Sequence, residues 1–379
     1  MRIGIVSIWL NRGQSAVSKR LTEILQKMGH EVHFFVRPPT DSFTHNNSLN
    51  LSVPGAMTAE SVTFGTAYNT PQGEYLFWAK EQSLEVVFFD QNYNFQAIES
   101  LKDYGVTTIG RFVWESFDTS HAQPARAAYS QIYGLTKAEC DNYAKMGLDV
   151  RYVSWSVDDN LKTFRRAYDP EGPMVFIGGW MSARKPLGSV LQAWALAENR
   201  RELIVKTQRP IQEHDICIPD SMERLRFLRK NYKSALLPQT VEQRFGVRVI
   251  TSDLESEQYF KLLSTASVLV CPSRWEGLGV HFFESMALGI PVITSAIEPI
   301  TEFVTDGVNG LTTESRGIGT RLNGLAAYEP IVRSLKGAFE RLDDSDYLRH
   351  LSSQALEQCD HWTSRKTMED LRALLEQHQ

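Results

Sequence analysis

"ASVLVCPSRWEGLGVHFFESMALGIPVIT", residues 266–294, contains the pattern on which the fold reading turns. "ASVLVCPS" is apolar without alternating polar positions, as expected of a strand covered on both faces, and Pro272 and Ser273 end it. "VHFFESMALG" reads as a helix stopped by Gly289, and "PVITSA" as the next strand. A buried strand, a helix and a second buried strand in quick succession form a parallel crossover unit, which predicts an α/β sheet layered by helices.

The same alternation runs outward in both directions. "RIGIVSIWL" predicts a first strand, and the following helix places Val17, Leu21, Ile24, Leu25 and Met28 at helical spacing, with Ser15 as N-cap and Gly29 as stop. "HEVHFFVR", "LEVVFFD", "VTTIGRFVW", "QIYGLT" and "VRYVSW" extend this first series of strands. A second series begins at "PMVFIGGW" and continues through "RELIVKT", "VRVIT", "ASVLVCPS", "PVITSA" and "GLTT". At 379 residues the chain is too long for one ordinary core, so two consecutive α/β domains are expected. The boundary is expected in residues 157–173, where Asp, Pro and Gly cluster. "RPIQEHDICIPD" and "SMERLRFLRKNYKSALL" read as an insertion in the second domain, and Arg224, Arg226, Arg229, Lys230 and Lys233 as a solvated face.

Composition removes several classes of function. Residues 1–164 carry 14 Lys and Arg against 17 Asp and Glu, and the remainder 26 against 28, so neither half has the basic excess that nucleic acid or a polybasic membrane anchor requires. No apolar run is long enough to span a bilayer, and the N-terminus reads as a strand rather than a signal peptide, although peripheral membrane contact stays open. Cys140, Cys217, Cys271 and Cys359 are scattered, which fits free thiols and a cytoplasmic location. The aspartate pairs in "VDDN" and "LDDSD" read as turn and cap residues, so no metal site is expected, and "DGVNG" reads as a turn with positive φ.

A nicotinamide enzyme would show G-x-G-x-x-G after its first strand, but only Gly13 follows "RIGIVSIWL", and a P-loop is absent too. Residues 274–284 are more informative. "RWEGLG" occupies the loop at the carboxyl end of a buried strand, where ligands of open α/β sheets bind. Gly277 and Gly279 permit close backbone approach, and the next helix offers unpaired N–H groups to a phosphate. Glu276 before that terminus and Glu284 one turn inside it suit the hydroxyls of a sugar and of a ribose flanking one anion.

"PSRWEGLGVHFFESMALGIPVITS…TEFVTDGVNGLTT" resembles the E-x7-E region of the GT4-type glycosyltransferases. The glutamate spacing, the Gly-rich loop, the "A-x-G-x-P-V" run and the "DGVNG" turn occur in that family's order. Weaker likenesses are "MGHEVHFFV", "VSWSVDDNLKTF" and "HWTSRKTMEDLRALL". The resemblance implies a GT-B fold: two Rossmann-like domains facing a cleft, with a C-terminal helix crossing back to the first domain. Residues 1–160 would be the acceptor domain, 161–358 the nucleotide-sugar donor domain and 359–379 the returning helix. It also implies transfer of a sugar from a nucleotide-sugar donor, a UDP-sugar being expected, to a carbohydrate or other hydroxyl-bearing acceptor. Such transfer is usually retaining and needs no metal or separate cofactor.

By the same resemblance Glu276 contacts the donor sugar, Glu284 the ribose, and the backbone of Gly277, Leu278, Gly279 and Val280 the sugar and diphosphate. Two positions depart from the family pattern. A cationic pair usually follows the second domain's first strand; Lys185 fills its second position, whereas Gly179 stands at the first, so Arg184 or Lys206 is the candidate replacement. The first domain also lacks a His directly after "VTTIGRFVW", leaving Arg111, Glu115 and His121 as candidates there. The candidate catalytic set is therefore Glu276, Lys185, Glu115 and His121; Gly13 joins Gly179, Arg184 and Lys206 among the donor-contacting candidates. A nucleotide-sugar-binding protein of the same fold without transferase activity is the alternative.

Overall fold

In the computed structural model, residues 1–9, 13–38, 61–181, 183–198, 201–231 and 239–377 are described. The chain divides into two compact units, Met1–Asp158 with Trp362–Gln379, and Asp159–His361.

Unit 1 holds a parallel seven-stranded sheet. Its strands are β1 (Arg2–Ser7), β2 (Glu31–Val36), β3 (Val62–Phe64), β4 (Val86–Asp90), β5 (Thr107–Arg111), β6 (Gln131–Gly134) and β7 (Val150–Tyr152), in the order β3-β2-β1-β4-β5-β6-β7. All five β4 residues are buried, which explains the unbroken apolar run in the sequence. Gly4 in β1 is required by packing: a Cβ there would sit 2.5 Å from the Trp78 ring. Trp78 and Tyr75, on the helix Gln72–Glu81, meet Phe35 edge-on, with centroids 5.3 and 5.0 Å away.

The expected first helix spans Gly13–Lys27. Gly29 stops it at φ +85° as expected, but Ser15 lies inside the helix rather than capping it. The Ser15 hydroxyl instead donates to the Ile8 carbonyl at 2.5 Å, tying the helix start to the end of the first strand.

The last helix, Ser364–Glu376, also packs in unit 1. Asp370 accepts from the Ser154 backbone N–H and hydroxyl at 2.9 and 2.6 Å, and Thr367 donates back to the Ser154 carbonyl at 2.8 Å. Thr367, Leu371, Leu374 and Leu375 form its buried stripe.

Unit 2 is built on the same plan with a six-stranded parallel sheet. β8 (Met174–Gly179), β9 (Leu203–Thr207), β10 (Arg248–Ile250), β11 (Val268–Val270), β12 (Val292–Ser295) and β13 (Gly310–Thr313) are ordered β10-β9-β8-β11-β12-β13. Strand order reverses between β8 and β11, so the loops after these two strands border the crevice where open parallel sheets hold ligands. The turn in "DGVNG" has Gly307 at φ +72°, and the Asp344 carboxylate caps the helix Ser345–Cys359, both as read from sequence.

One element was not expected: an antiparallel hairpin, β14 (Ser315–Thr320) and β15 (Ala326–Pro330). It packs on the helix Met222–Asn231 of the insertion through Met222, Leu225, Ile318 and Ala327. Lys233 lies outside the described residues.

Candidate functional site

The loops after β8 and β11 are knitted together. The Arg274 backbone N–H donates to the Arg184 carbonyl at 2.9 Å, and the Arg274 guanidinium donates to the Ala183 carbonyl at 2.7 Å. Arg274 is itself held by an ion pair to Glu329 of β15, whose other oxygen accepts from Ser189 at 2.5 Å. All three side chains are buried, so the hairpin buttresses the glutamate loop from behind.

Within this frame Glu276 is fully buried and surrounded by donors. Arg184 forms an ion pair with Oε1, while Ser273 donates to Oε2 at 2.9 Å and Lys185 lies 3.4 Å from the same oxygen. A buried carboxylate with two cations and a hydroxyl is a satisfied group, because desolvation is offset only by such pairing.

Lys185 is 4% exposed and its partners include Cys271 Sγ at 2.9 Å, Ser273 Oγ at 3.2 Å, and Glu276 and His281 at 3.4 Å. His281 Nε2 also lies 3.1 Å from Cys271 Sγ. Burial, reinforced by the Lys185 and Arg184 charges, holds the His281 pKa well below its ordinary value. The ring is therefore neutral at neutral pH.

The helix after this loop spans Val280–Ala287, with Gly279 at its N-cap in the left-handed conformation, φ +72°. A Cβ at Gly279 would also meet the Phe282 ring at 2.5 Å, so conformation and space both demand glycine there. Gly277 donates its N–H to Glu276 Oε1 at 3.2 Å, and Leu278 is buried. Glu284 lies one turn inside the helix and is half-buried; its Oε2 accepts from the Tyr259 hydroxyl at 3.1 Å. Burial and the neighbouring Glu284 charge raise the Tyr259 pKa well above the usual phenol value, so Tyr259 is a permanent donor.

The two candidate replacement cations are placed differently. Arg184 is on Glu276, whereas Lys206 at the end of β9 donates to the Thr207 and Ser252 carbonyls at 2.7 and 2.8 Å. Gly179 adopts φ +52° and Met181 φ +50°, so β8 ends in a left-handed turn that a side-chain-bearing residue at 179 would strain. Arg209 braces this turn through the Trp180 and Met181 carbonyls at 3.2 and 3.0 Å, and is fixed by a two-pronged pair with Asp215.

The unit 1 candidates lie at or after the end of β5, or at the first helix. His121 is the N3 residue of a capping box: its Nδ1 accepts from the Asp118 N–H at 3.1 Å, while Asp118 accepts from Ser120. Its ring packs on Tyr93 and Phe117, with centroids at 4.8 and 5.4 Å. Glu115 is half-buried in the turn after β5, and Gly13 is exposed at the start of its helix. Arg111 is buried and paired with Asp90, its register partner at the ends of β4 and β5, at 2.9 Å.

Sequence reasoning missed Cys271, Ser273, Tyr259, Arg209 and the Arg274–Glu329 pair. Cys271 and Ser273 were legible in principle, since they flank Pro272 at the strand end. The others depend on contacts between residues distant in sequence.

Among the described residues, no group of three or more His, Cys, Asp and Glu side chains is disposed to hold a metal ion. No helix among them is long and apolar enough to cross a membrane.

Residues 245–319 match the family described as glycosyl transferases group 1. The chain is 31% identical over 126 residues to an alpha-maltose-1-phosphate synthase from Mycolicibacterium smegmatis, covering 33% of this chain and 31% of that protein. It is 40% identical over 74 residues to a D-inositol 3-phosphate glycosyltransferase from Kribbella flavida, covering 19% and 18%. These matched segments thus span a third or less of the curated relatives. Whole-chain similarity appears in solved structures. Sucrose-phosphate synthase from Thermosynechococcus elongatus superposes with TM-score 0.69 at 16% identity, over 100% of this chain and 98% of that one. Anabaena HepE in complex with UDP-glucose superposes with TM-score 0.68 at 12% identity, over 100% of both. The chain has two parallel-sheet Rossmann-like domains, the GT-B fold.

Proposed function

We propose that the protein is a GT4-like glycosyltransferase that moves a sugar from a nucleotide-sugar donor, a UDP-sugar by expectation, to a hydroxyl-bearing acceptor with retention of configuration. The observation that carries this reading is the buried Glu276, held by Arg184, Lys185 and Ser273 at the β8/β11 reversal and directly preceding a glycine-capped helix N-terminus. The helix start and the two cations supply positive potential for a diphosphate. Arg184, 27% exposed against 4% for Lys185, is the more accessible of the two cations. Donor-sugar hydroxyls would replace part of the present donor shell of the buried Glu276, and Glu284, oriented by Tyr259, would accept from the ribose.

In the reaction the bond between the anomeric carbon and the diphosphate oxygen breaks, and a bond to the acceptor oxygen forms on the same face. The acceptor proton passes to the departing diphosphate oxygen. Arg184 and Lys185 stabilise the charge that develops there, so no metal is assigned to the step. The acceptor is assigned to unit 1 and the location to the cytoplasm.

The test is incubation of the purified chain with a panel of UDP-sugars and other nucleotide sugars, monitoring nucleoside diphosphate release and the anomeric configuration of the product. Release with a retained anomer is expected. The alternative, a nucleotide-sugar-binding protein without transferase activity, draws on Gly179 and on the capping role of His121. Saturable binding without turnover for any acceptor would establish it instead.

A further inference from the structure

The helix Met222–Asn231 and the hairpin β14–β15 present a surface that donor chemistry does not use. Their inner sides share a small core with Trp275. Outside that core, Arg226 donates to the Thr320 carbonyl at 3.1 Å, which brings the hairpin turn beside the outer face of the helix. Within two residues of this hydrogen bond project two large apolar side chains, Phe227, 49% exposed, and Leu322, 96% exposed. The Arg224 guanidinium lies 5.3 Å from the centre of the Phe227 ring. The exposed residues of the helix include three cations, Arg224, Arg226 and Lys230, against one acidic residue, Glu223, whereas Arg229 turns inward to the Met181 carbonyl at 3.4 Å.

A solvated helix face accounts for the cations. What that reading leaves out is that the Arg226–Thr320 hydrogen bond sets two projecting apolar side chains, from the helix and from the hairpin turn, among those cations. Projecting apolar tips ringed by Arg and Lys, with one carboxylate, match the chemistry of a bilayer interface: cations meet lipid phosphates and the apolar tips enter the acyl boundary. We propose that this surface docks unit 2 on an anionic phospholipid bilayer. Docking would reach the candidate site directly. Arg321 lies over the Trp275 ring at 4.9 Å, Trp275 precedes Glu276, and the Tyr328 N–H donates to the Arg274 carbonyl at 2.9 Å. The proposal does not depend on sugar transfer.

The test is co-sedimentation of the full chain with vesicles of phosphatidylcholine alone and of equal parts phosphatidylcholine and phosphatidylglycerol. The mixed vesicles should bind about tenfold or more tightly than the neutral ones, with binding weakened by salt, since each cation near an anionic surface contributes about fivefold. The pair Phe227→Ser with Leu322→Ser should lower mixed-vesicle binding about tenfold, and separately Arg224→Glu with Lys230→Glu about twenty-fivefold or more, while the melting temperature holds. Equal binding to both vesicle types, or undiminished binding by both variants, would overturn the proposal. So would absence of vesicle binding alongside retention on an immobilised anionic polysaccharide, which would identify a polymer partner.

Discussion

Unit 1 closes β4 and β5 on a buried ion pair, Asp90 with Arg111, whereas unit 2 surrounds its strand reversal with Arg184, Lys185 and Glu276. Both scaffolds are doubly wound parallel sheets, so topology alone does not distinguish them. Access does. Asp90 and Arg111 are almost wholly buried, in a region rich in packed aromatic rings that includes Tyr93, Phe112 and Phe117. Nearby Glu139 is buried too and its pKa is raised by desolvation, an effect opposed by the Arg111 charge. In unit 2 the glutamate is sealed but one of its cations is open to solvent. A closed pair specifies structure, and a pair with one open cation can act on a ligand.

The largest expected effect would break that contrast on the unit 1 side. Arg111→Met removes the buried guanidinium from Asp90 and should destabilise unit 1 by about 3–5 kcal/mol in urea unfolding. Adding Asp90→Leu should restore most of the loss, since apolar replacements of both partners remove the desolvation cost. Loss of transfer by Arg111→Met with unchanged unfolding would show that the unit 1 pair is chemical rather than structural.

Next in size is the difference between the two cations of unit 2. Arg184→Ala should lower kcat/KM by about 3 kcal/mol, the scale of one lost donor to a developing oxyanion. Lys206→Met should stay within about threefold of the parent, because its ammonium serves two backbone carbonyls rather than Glu276. Steady-state kinetics on the two variants decides the assignment, and equal losses would erase the distinction.

The smallest effect is the pH response of His281. Its folded pKa is depressed, so below the ordinary value of about 6.5 the unfolded chain binds a proton that the folded chain refuses. The stability this group contributes is present above that pH and is lost as pH falls toward the folded pKa. The fall in urea midpoint on moving from neutral to mildly acidic pH should be shallower in His281→Gln than in the parent. An identical slope would show that His281 does not titrate in this way.

The fold was legible where sequence pattern and burial coincide. The apolar strands of both sheets follow from parallel strands having two covered faces, and "PSRWEGLG" announces a ligand loop because it follows such a strand. The hairpin β14–β15 was hidden because "SRGIGTRLNGLAAYEP" is glycine-rich, bulged and without strict alternation; what fixes it is packing on Met222 and Trp275. Ser15 misled because a serine near a helix start resembles a cap, whereas its hydroxyl binds a carbonyl of the preceding segment. The Glu276–Glu284 spacing could be read locally. Tyr259, 25 residues from Glu284, and Glu329, 55 from Arg274, become partners only through the fold.

The most direct test of the central claim is calorimetric titration of UDP into the parent, Glu276→Gln and Glu284→Gln, paired with turnover of the donor that proves active. If Glu284 holds the ribose and Glu276 the donor sugar, Glu284→Gln should weaken UDP binding by about 1–2 kcal/mol, the difference between a charge-assisted and a neutral hydrogen bond. Glu276→Gln should leave UDP affinity nearly unchanged and lower transfer much more strongly, because free UDP lacks the sugar. Equal loss of UDP affinity in both variants, or full transfer by Glu276→Gln, would contradict the account.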